Sequence, residues 1–342
     1  STASSFAHPN VAEADVVIEA AFERMDVKRS IFAELDAVCK PSAILASNTS
    51  TLSIDEIGAS TSRPASVVGM HFFSPANVMP LLENIRSSAS SPAAIATAMS
   101  LGKRLRKKAV LARSCFGFIG NRMLEPYLHE ALFLLEEGAS VSSVDEAMRN
   151  FGMAMGPFAM SDLAGNDIGY AVRTSLGLTD AAARDPAVEY SADVADALVE
   201  AGRLGQKAGK GWYLYEQPRV PSPDPAVDAL VSQFKDGSPS VGAEAILDRA
   251  LLALVNEGFR VLEEGLALRP SDLDVVWTSG YGFPRHKGGP MQWAEERGLR
   301  ECRATLERLA AERPDVPYLR PAKLLEAMAE ADAPLADWEK YV

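Results

Sequence analysis

The sequence is short of several things that would mark particular classes of protein. Its cysteines number three (Cys39, Cys115 and Cys302) in 342 residues. They are odd in number, widely separated and not at metal-ligand spacing, so they read as reduced thiols and not as a disulfide framework or a metal site. No uninterrupted apolar run approaches the ~20 residues that a membrane-spanning helix needs, so no membrane span is expected. An excess of positive charge is missing too. Lys and Arg total 34 against 46 Asp and Glu, a net charge of −12, which argues against nucleic-acid binding through phosphates. A phosphorylated small molecule needs only a local basic patch, and Lys103-Arg104-Leu105-Arg106-Lys107-Lys108 is the candidate; a solvated helix end is the other reading. Ser1 to Phe6 carries neither the basic nor the apolar segment of a secretion signal.

What is present begins with an alternation. Ala14-Asp15-Val16-Val17-Ile18-Glu19-Ala20, Ala43 to Ala46, Ser66 to Phe73 and Leu81 to Ile85 read as short buried strands. Helical spacing from Asp26 to Cys39 (Val27, Ile31, Phe32, Leu35, Val38) and a start at Thr51 to Ile57 lie between them. This is the rhythm of a parallel α/β sheet. Such a nucleotide-binding sheet normally opens with a strand, a Gly-x-Gly-x-x-Gly turn and a helix. No such turn occurs in the sequence, so the visible part is expected to be the second half of a doubly wound sheet.

From Phe116 onward the pattern turns helical. Leu124 to Glu137 has helix spacing and stops at Gly138. Ser140 to Glu146 opens the next helix, with Ser143 and Glu146 compatible with a capping box. Pro218, Pro221, Pro223 and Pro225 mark a linker expected to be without regular structure. Across it, His129 to Gly138 reappears as Asn256 to Gly265, Met155-Gly156-Pro157-Phe158 is echoed by Gly288-Gly289-Pro290-Met291, and Asn121-Arg122 matches Asp248-Arg249. Three echoes in order predict a duplicated helical module. The expected units are 1–112, the second half of a Rossmann-type domain, 113–217, a first helical domain, and 218–342, its internal repeat.

Candidate chemistry lies where an open α/β sheet binds ligands, past the carboxyl ends of its strands. Ser47-Asn48-Thr49-Ser50 follows one strand, and His71 ends another. Glu83 is on a segment that could return past His71. A carboxylate beside a histidine orients the ring of a general base; a strand-end histidine held by local hydrogen bonds is the plain structural alternative. Asn121, in Phe116-Gly117-Phe118-Ile119-Gly120-Asn121-Arg122, is either a helix N-cap or a donor to a substrate oxygen.

Asn48-Thr49-Ser50, Gly69-Met70-His71-Phe72-Phe73-Ser74-Pro75, Gly117 to Arg122 and Met155-Gly156-Pro157-Phe158 stand in the order and separation of the 3-hydroxyacyl-CoA dehydrogenases, which the sequence resembles over nearly its whole length. The second helical copy, with Gly280-Tyr281-Gly282-Phe283-Pro284, resembles the multifunctional β-oxidation enzymes that fuse an enoyl-CoA hydratase ahead of the dehydrogenase. The resemblance implies a Rossmann-like parallel sheet followed by two helical domains like the C-terminal domain of 6-phosphogluconate dehydrogenase. It implies NAD as cofactor and an acyl-CoA substrate, oxidised from the (S)-3-hydroxy to the 3-oxo form. His71 would then be the base, Glu83 its partner, and Ser50 and Asn121 substrate-binding. Glu23, Lys28, Ser74 and Lys207 match cofactor-contacting positions; by type alone Glu23, Lys28 and Lys207 read as surface charges. Ser74 departs from the usual Asn, which puts one cofactor contact in doubt. Without the glycine-rich turn the chain is expected to be an N-terminally truncated fragment that binds NAD very weakly and turns over slowly, if at all. A homodimer, or a fused or associated enoyl-CoA hydratase and thiolase, is the implied protein partner, the oligomeric state staying open because a second helical copy can cover the pairing surface internally. A bacterial cytoplasm is the expected location, since Trp338 to Val342 is no peroxisomal address. Two alternatives stay open: a non-catalytic remnant that kept acyl-CoA binding or dimerisation, and a related β-hydroxyacid dehydrogenase.

Overall fold

A computed structural model describes residues 6, 8–185, 190–235, 237 and 241–342. Ser1 to Ser5, where part of the secretion-signal reading falls, lie outside them. After a short helix α1 (Pro9–Ala12), five strands form one sheet in the order β1 (Val16–Glu19), β2 (Ile44–Ser47), β3 (Val67–Phe72), β4 (Leu81–Arg86), β5 (Lys108–Arg113). Helices α2 (Met25–Val38) and α3 (Ile54–Gly58) connect the first three strands, and α4 (Pro92–Arg104) connects the last two. Strands β1, β2 and β3 are parallel, as the alternation predicts. Strand β4 departs from that: it runs antiparallel to β3, because only the short segment 73–80 joins them and a parallel return needs a crossover of a dozen or more residues. Alternate residues of β2 and β3 serve opposite faces. Ala46, Val68 and Met70 meet Ala94 and Ala98 of α4, while Leu45 and Val67 join the main core.

Two parts of the basic run have a structural explanation. Lys103 and Arg104 end α4, where cations suit the helix dipole. Lys107 spends its ammonium on the carbonyls of Ala76 and Met79, and Lys108 opens β5.

The helical part comprises α5 (Gly120–Glu136), α6 (Val141–Phe151), α7 (Pro157–Ala164), α8 (Asn166–Ser175) and α9 (Asp193–Glu200). It continues as α10 (Pro225–Val231), α11 (Ala243–Glu263), α12 (Pro270–Gly280), α13 (Pro290–Arg297), α14 (Leu299–Glu312) and α15 (Lys323–Ala331). The cap of α6 sits earlier than expected: Ser140 and Ser143, not Ser143 and Glu146, form the reciprocal box. The proline-rich linker is also ordered. It makes the antiparallel pair β6 (Leu214–Gln217) and β7 (Val220–Ser222), then α10 with Pro225 in its first turn. Proline is tolerated on an edge strand and at a helix start, where its missing N–H has no partner to lose.

The repeat has a physical counterpart. Helices α5 and α11 pack together, and Arg122 on α5 bonds Glu257 and Glu264, while Arg249 on α11 bonds Glu130 and Glu137. Each residue of one set is the repeat equivalent of its counterpart in the other. The two modules thus bury against each other as the halves of a two-fold dimer would. The Gly-Pro motifs explain themselves in the same way. Asp145 accepts from the Phe158 and Ala159 amides at the start of α7, and Asp274 from Met291 and Gln292 at the start of α13. A Cβ on Gly156 would sit 2.3 Å from the Asp145 side chain, and one on Gly289 would sit 2.4 Å from that of Asp274. Glycine there lets a carboxylate from another helix reach the first turn.

Candidate active site

His71 and Glu83 face each other because β3 and β4 are antiparallel and in register at that pair. The imidazole Nδ1 lies 2.8 Å from Glu83 Oε2, with His71 7% and Glu83 0% exposed. The other carboxylate oxygen accepts from the backbone N–H of Gly120 at 2.9 Å and of Ile119 at 3.2 Å. A buried carboxylate is costly unless it is hydrogen-bonded. Here the N-terminus of a 17-residue helix supplies both donors and a favourable dipole. The chain reaches that arrangement through Gly117 and Phe118, both at positive φ; a Cβ on Gly117 would come within 2.8 Å of the Arg122 nitrogen. With Nδ1 committed to Glu83, Nε2 is the ring nitrogen left to exchange a proton, and His71 lines a cleft of about 2120 Å³.

The loop after β2 enters the same cleft. Asn48 Oδ1 accepts from the Phe72 N–H at 2.8 Å and so ties the end of β3 to that loop. Glu23 Oε1 gathers the Thr49 hydroxyl (2.6 Å), the Ser50 amide (2.8 Å) and the Ser50 hydroxyl (3.3 Å). Burial pushes the Glu23 carboxyl up, but the Thr49 and Ser50 donors and the Lys28 ammonium outweigh it and hold it below its ordinary value. Lys28 is no surface charge: it is 1% exposed. Its ammonium lies 3.0 and 3.1 Å from the two Glu19 oxygens and 3.3 Å from Glu23. Two carboxylates offset the desolvation that would otherwise keep a lysine outside. Glu19 also accepts from the Ser47 hydroxyl at 2.7 Å. Glu19 and Lys28 therefore act beneath the loop, and Glu23 and Ser50 at its surface.

Asn121 is not the cap of α5, which falls at Ile119. Its amide nitrogen reaches the Ser50 carbonyl at 3.4 Å, and its oxygen accepts from the Tyr281 hydroxyl at 2.8 Å. Thus Glu23, Ser50, His71 and Asn121 line one cleft, and Glu83, fully buried, stands behind His71 without lining it. Ser74 lines the cleft as well. Lys207 stands apart, its ammonium 2.6 Å from Asp167 Oδ2 near the start of α8. Sequence reasoning gave no individual role to Glu19, Ser47 or Phe73. Glu19 and Ser47 had a signal, being polar ends of apolar strands. Phe73, whose ring lies 4.5 Å from that of His71, gave none beyond its neighbour.

Whether the chain suits NAD can be judged from the cleft. Its carboxyl-end position on β1, β2 and β3, the free Nε2 and the Glu23-held loop fit the nicotinamide end of a dinucleotide. A glycine-rich turn for the pyrophosphate is not in this sequence. Among the described residues no His/Cys/Asp/Glu group could hold a metal, and no helix is long and apolar enough to cross a membrane.

Comparison with known proteins agrees with the geometry. Residues 3–115 match the model of the NAD binding domain of 3-hydroxyacyl-CoA dehydrogenase, and 117–215 and 246–335 match that of its C-terminal domain. The peroxisomal bifunctional enzyme of Homo sapiens is 47% identical over 338 residues, covering 95% of this chain and 47% of that protein. A peroxisomal fatty acid beta-oxidation multifunctional protein of Oryza sativa subsp. japonica is 36% identical, covering 95% of this chain and 45% of that protein. The chain therefore spans about half the length of these relatives. Among solved structures, 3-hydroxybutyryl-CoA dehydrogenase from Escherichia coli superimposes with a TM-score of 0.79 at 27% identity, covering 94% of this chain and 82% of that one. The dehydrogenase part of multifunctional enzyme 1 from C. elegans gives 0.66 at 30%, covering 93% and 72%. The bacterial cytoplasm expected from sequence is overturned by relatives named as peroxisomal and glyoxysomal enzymes of animals and plants. The chain belongs to the 3-hydroxyacyl-CoA dehydrogenase family.

Proposed function

We propose that this chain is the dehydrogenase part of a β-oxidation enzyme and oxidises (S)-3-hydroxyacyl-CoA to 3-oxoacyl-CoA with NAD. The observation that carries this is the His71–Glu83 pair at 2.8 Å, with the ring opening on the cleft. His71 Nε2 takes the proton of the 3-hydroxyl as C3 loses hydride. Glu83, fixed by the start of α5, stabilises the charge that the imidazole gains. NAD, when bound, supplies the hydride acceptor. Ser50 and Asn121 contact the reacting oxygen or the thioester carbonyl and hold the substrate in line. Glu23 and Ser74 would meet the nicotinamide end of the cofactor; Lys28 would act on that end through Glu23, and Lys207, itself outside the cleft lining, only through Asp167, which lines it. Units of 1–112, 113–217 and 218–342 are proposed as the sheet domain and the two helical modules. A fused enoyl-CoA hydratase is the proposed companion, since the relatives are named as bifunctional or multifunctional enzymes.

The test is NADH formation from (S)-3-hydroxybutyryl-CoA, and NADH consumption with acetoacetyl-CoA, by the protein expressed from its complete reading frame. Turnover in both directions supports the assignment. Tight acyl-CoA binding without turnover would instead favour a non-catalytic binding protein.

A further inference from the structure

The second helical module is far from the reaction in sequence, yet it reaches Asn121. Residues 280–282, at the C-terminal end of α12 and just past it, form part of the cleft wall, and Tyr281 donates its hydroxyl to Asn121 Oδ1 at 2.8 Å. The polarity of that bond is fixed from the other side of the amide. The Ser50 carbonyl can only accept, so the atom facing it at 3.4 Å is the amide nitrogen. The oxygen then faces Tyr281, which must donate. Burial, and after it the Glu83 carboxylate, push the phenol well above its ordinary value, so the donor is retained across the working pH range.

The tyrosine is itself held tightly. Its ring stacks on Trp277 with centroids 4.6 Å apart and 23° between planes, and meets Phe73 edge-on at 5.4 Å. A Cβ on Gly120 would lie 2.4 Å from the phenol oxygen, and one on Gly280 would lie 2.5 Å from Leu81. Both glycines permit a closer approach than any other residue would allow. Main-chain contact continues the link, since Ala154 in the first module donates to the Gly282 carbonyl at 3.0 Å. With its oxygen taken by Tyr281 and one N–H facing Ser50, the Asn121 amide has a single N–H without a partner among the described residues, on a side chain that lines the cleft.

We infer that Tyr281 is a positioning residue contributed by the second helical module, which locks the Asn121 amide in the rotamer that offers its remaining N–H to the substrate oxygen. The inference rests on the proposed dehydrogenase reading and deepens it. The first module alone carries Asn121 but not the group that orients it, so the duplicated module is a working part of the site as well as a packing partner.

The experiment is a double-mutant cycle of Tyr281→Phe and Asn121→Ala in the protein expressed from its complete reading frame. It is read in kcat and KM for acetoacetyl-CoA reduction and in acetoacetyl-CoA affinity by calorimetry. Phenylalanine keeps the ring contacts with Trp277 and Phe73, so the thermal midpoint should move little. Tyr281→Phe should lower kcat/KM by about five- to tenfold, the worth of one hydrogen bond that orients a substrate-holding group. In the Asn121→Ala background the same change should have almost no effect, because the group it orients is gone. Equal losses in both backgrounds, or no loss in either, in an enzyme that turns over, would overturn the inference and leave the proposed function standing. A wild-type protein that neither turns over nor binds acetoacetyl-CoA would remove the proposed function, and this inference with it.

Discussion

Glu83 decides which nitrogen of His71 can act. Its Oε1 is taken by two backbone amides and its Oε2 accepts from Nδ1, so the ring keeps its proton on Nδ1 and its lone pair on Nε2. Glu83→Gln preserves size but reverses that choice. The backbone amides hold the new carboxamide oxygen, the NH2 faces Nδ1, and Nδ1 must then accept. The proton moves to Nε2, which no longer serves as a base. The variant should lose about 10²–10⁴-fold in kcat, as much as His71→Ala, with acetoacetyl-CoA affinity nearly unchanged in both. Steady-state rates with calorimetric affinities check this; a Glu83→Gln enzyme within a few fold of wild type would show that the carboxylate serves packing alone. This pair was legible in the sequence as a possibility, because His71 lies at the end of a strand and Leu81 to Ile85 follows closely enough to return past it; the antiparallel pairing itself departs from the expected parallel sheet. The state of Lys28 was not legible. Lysine following a strand reads as surface, and only coordinates reveal that Glu19 and Glu23 meet it on two sides. The Tyr281–Asn121 bond was equally hidden, since nothing local in either segment signals a partner in the other module.

At the level of elements, the helix starts at Pro157 and Pro290 carry a pH dependence of their own. Burial raises the carboxyl of Asp145 to about 6, against donors from Phe158, Ala159 and Tyr213 that act to lower it. Burial likewise raises Asp274 to about 7. An unfolded aspartate titrates at 3.8 on the same scale. Between that value and the raised one, the native state holds protons that the unfolded state has released. Stability therefore falls as pH rises from about 4 to 7 and is level above, with each site contributing on the order of 3 kcal/mol. Asp274→Asn keeps an acceptor for the Met291 amide and removes the titration. Urea unfolding of this variant at pH 5 and pH 8 should show a smaller stability difference than wild type; an unchanged difference would assign the effect elsewhere. The motifs that revealed the repeat in sequence are thus structural. Gly-Pro at these helix starts is legible as punctuation, whereas the distant carboxylate that requires the glycine is not.

Across the whole molecule, the two modules hold each other through paired arginines whose surroundings differ. Arg249 neutralises Glu130, which is 0% exposed, and Glu137 beside it. Without Arg249, Glu130 keeps, among the described residues, only the Tyr318 hydroxyl at 2.7 Å, and a buried anion with one neutral donor is strongly destabilising. Arg122 neutralises Glu257 and Glu264. Without it, Glu257 retains Arg260 at 3.0 Å, and the Glu264 side chain is half exposed and met by water. The symmetry of the repeat would predict equal costs; the environments predict unequal ones. Arg249→Ala should lower unfolding stability by about 3–5 kcal/mol, and Arg122→Ala by about 1 kcal/mol. Adding Glu130→Gln to Arg249→Ala should recover part of the loss, since a neutral amide in the same space leaves no unpaired charge. Chemical unfolding of the three variants against wild type measures all of this. Equal destabilisation by the two arginine substitutions, with no recovery from Glu130→Gln, would mean that the modules are held by the apolar faces of α5 and α11 alone. The ion pairs would then be bystanders. Unequal costs would show that the two repeat-equivalent sets of ion pairs carry unequal charge burial, leaving the Arg122 end of α5, next to Asn121, the softer of the two.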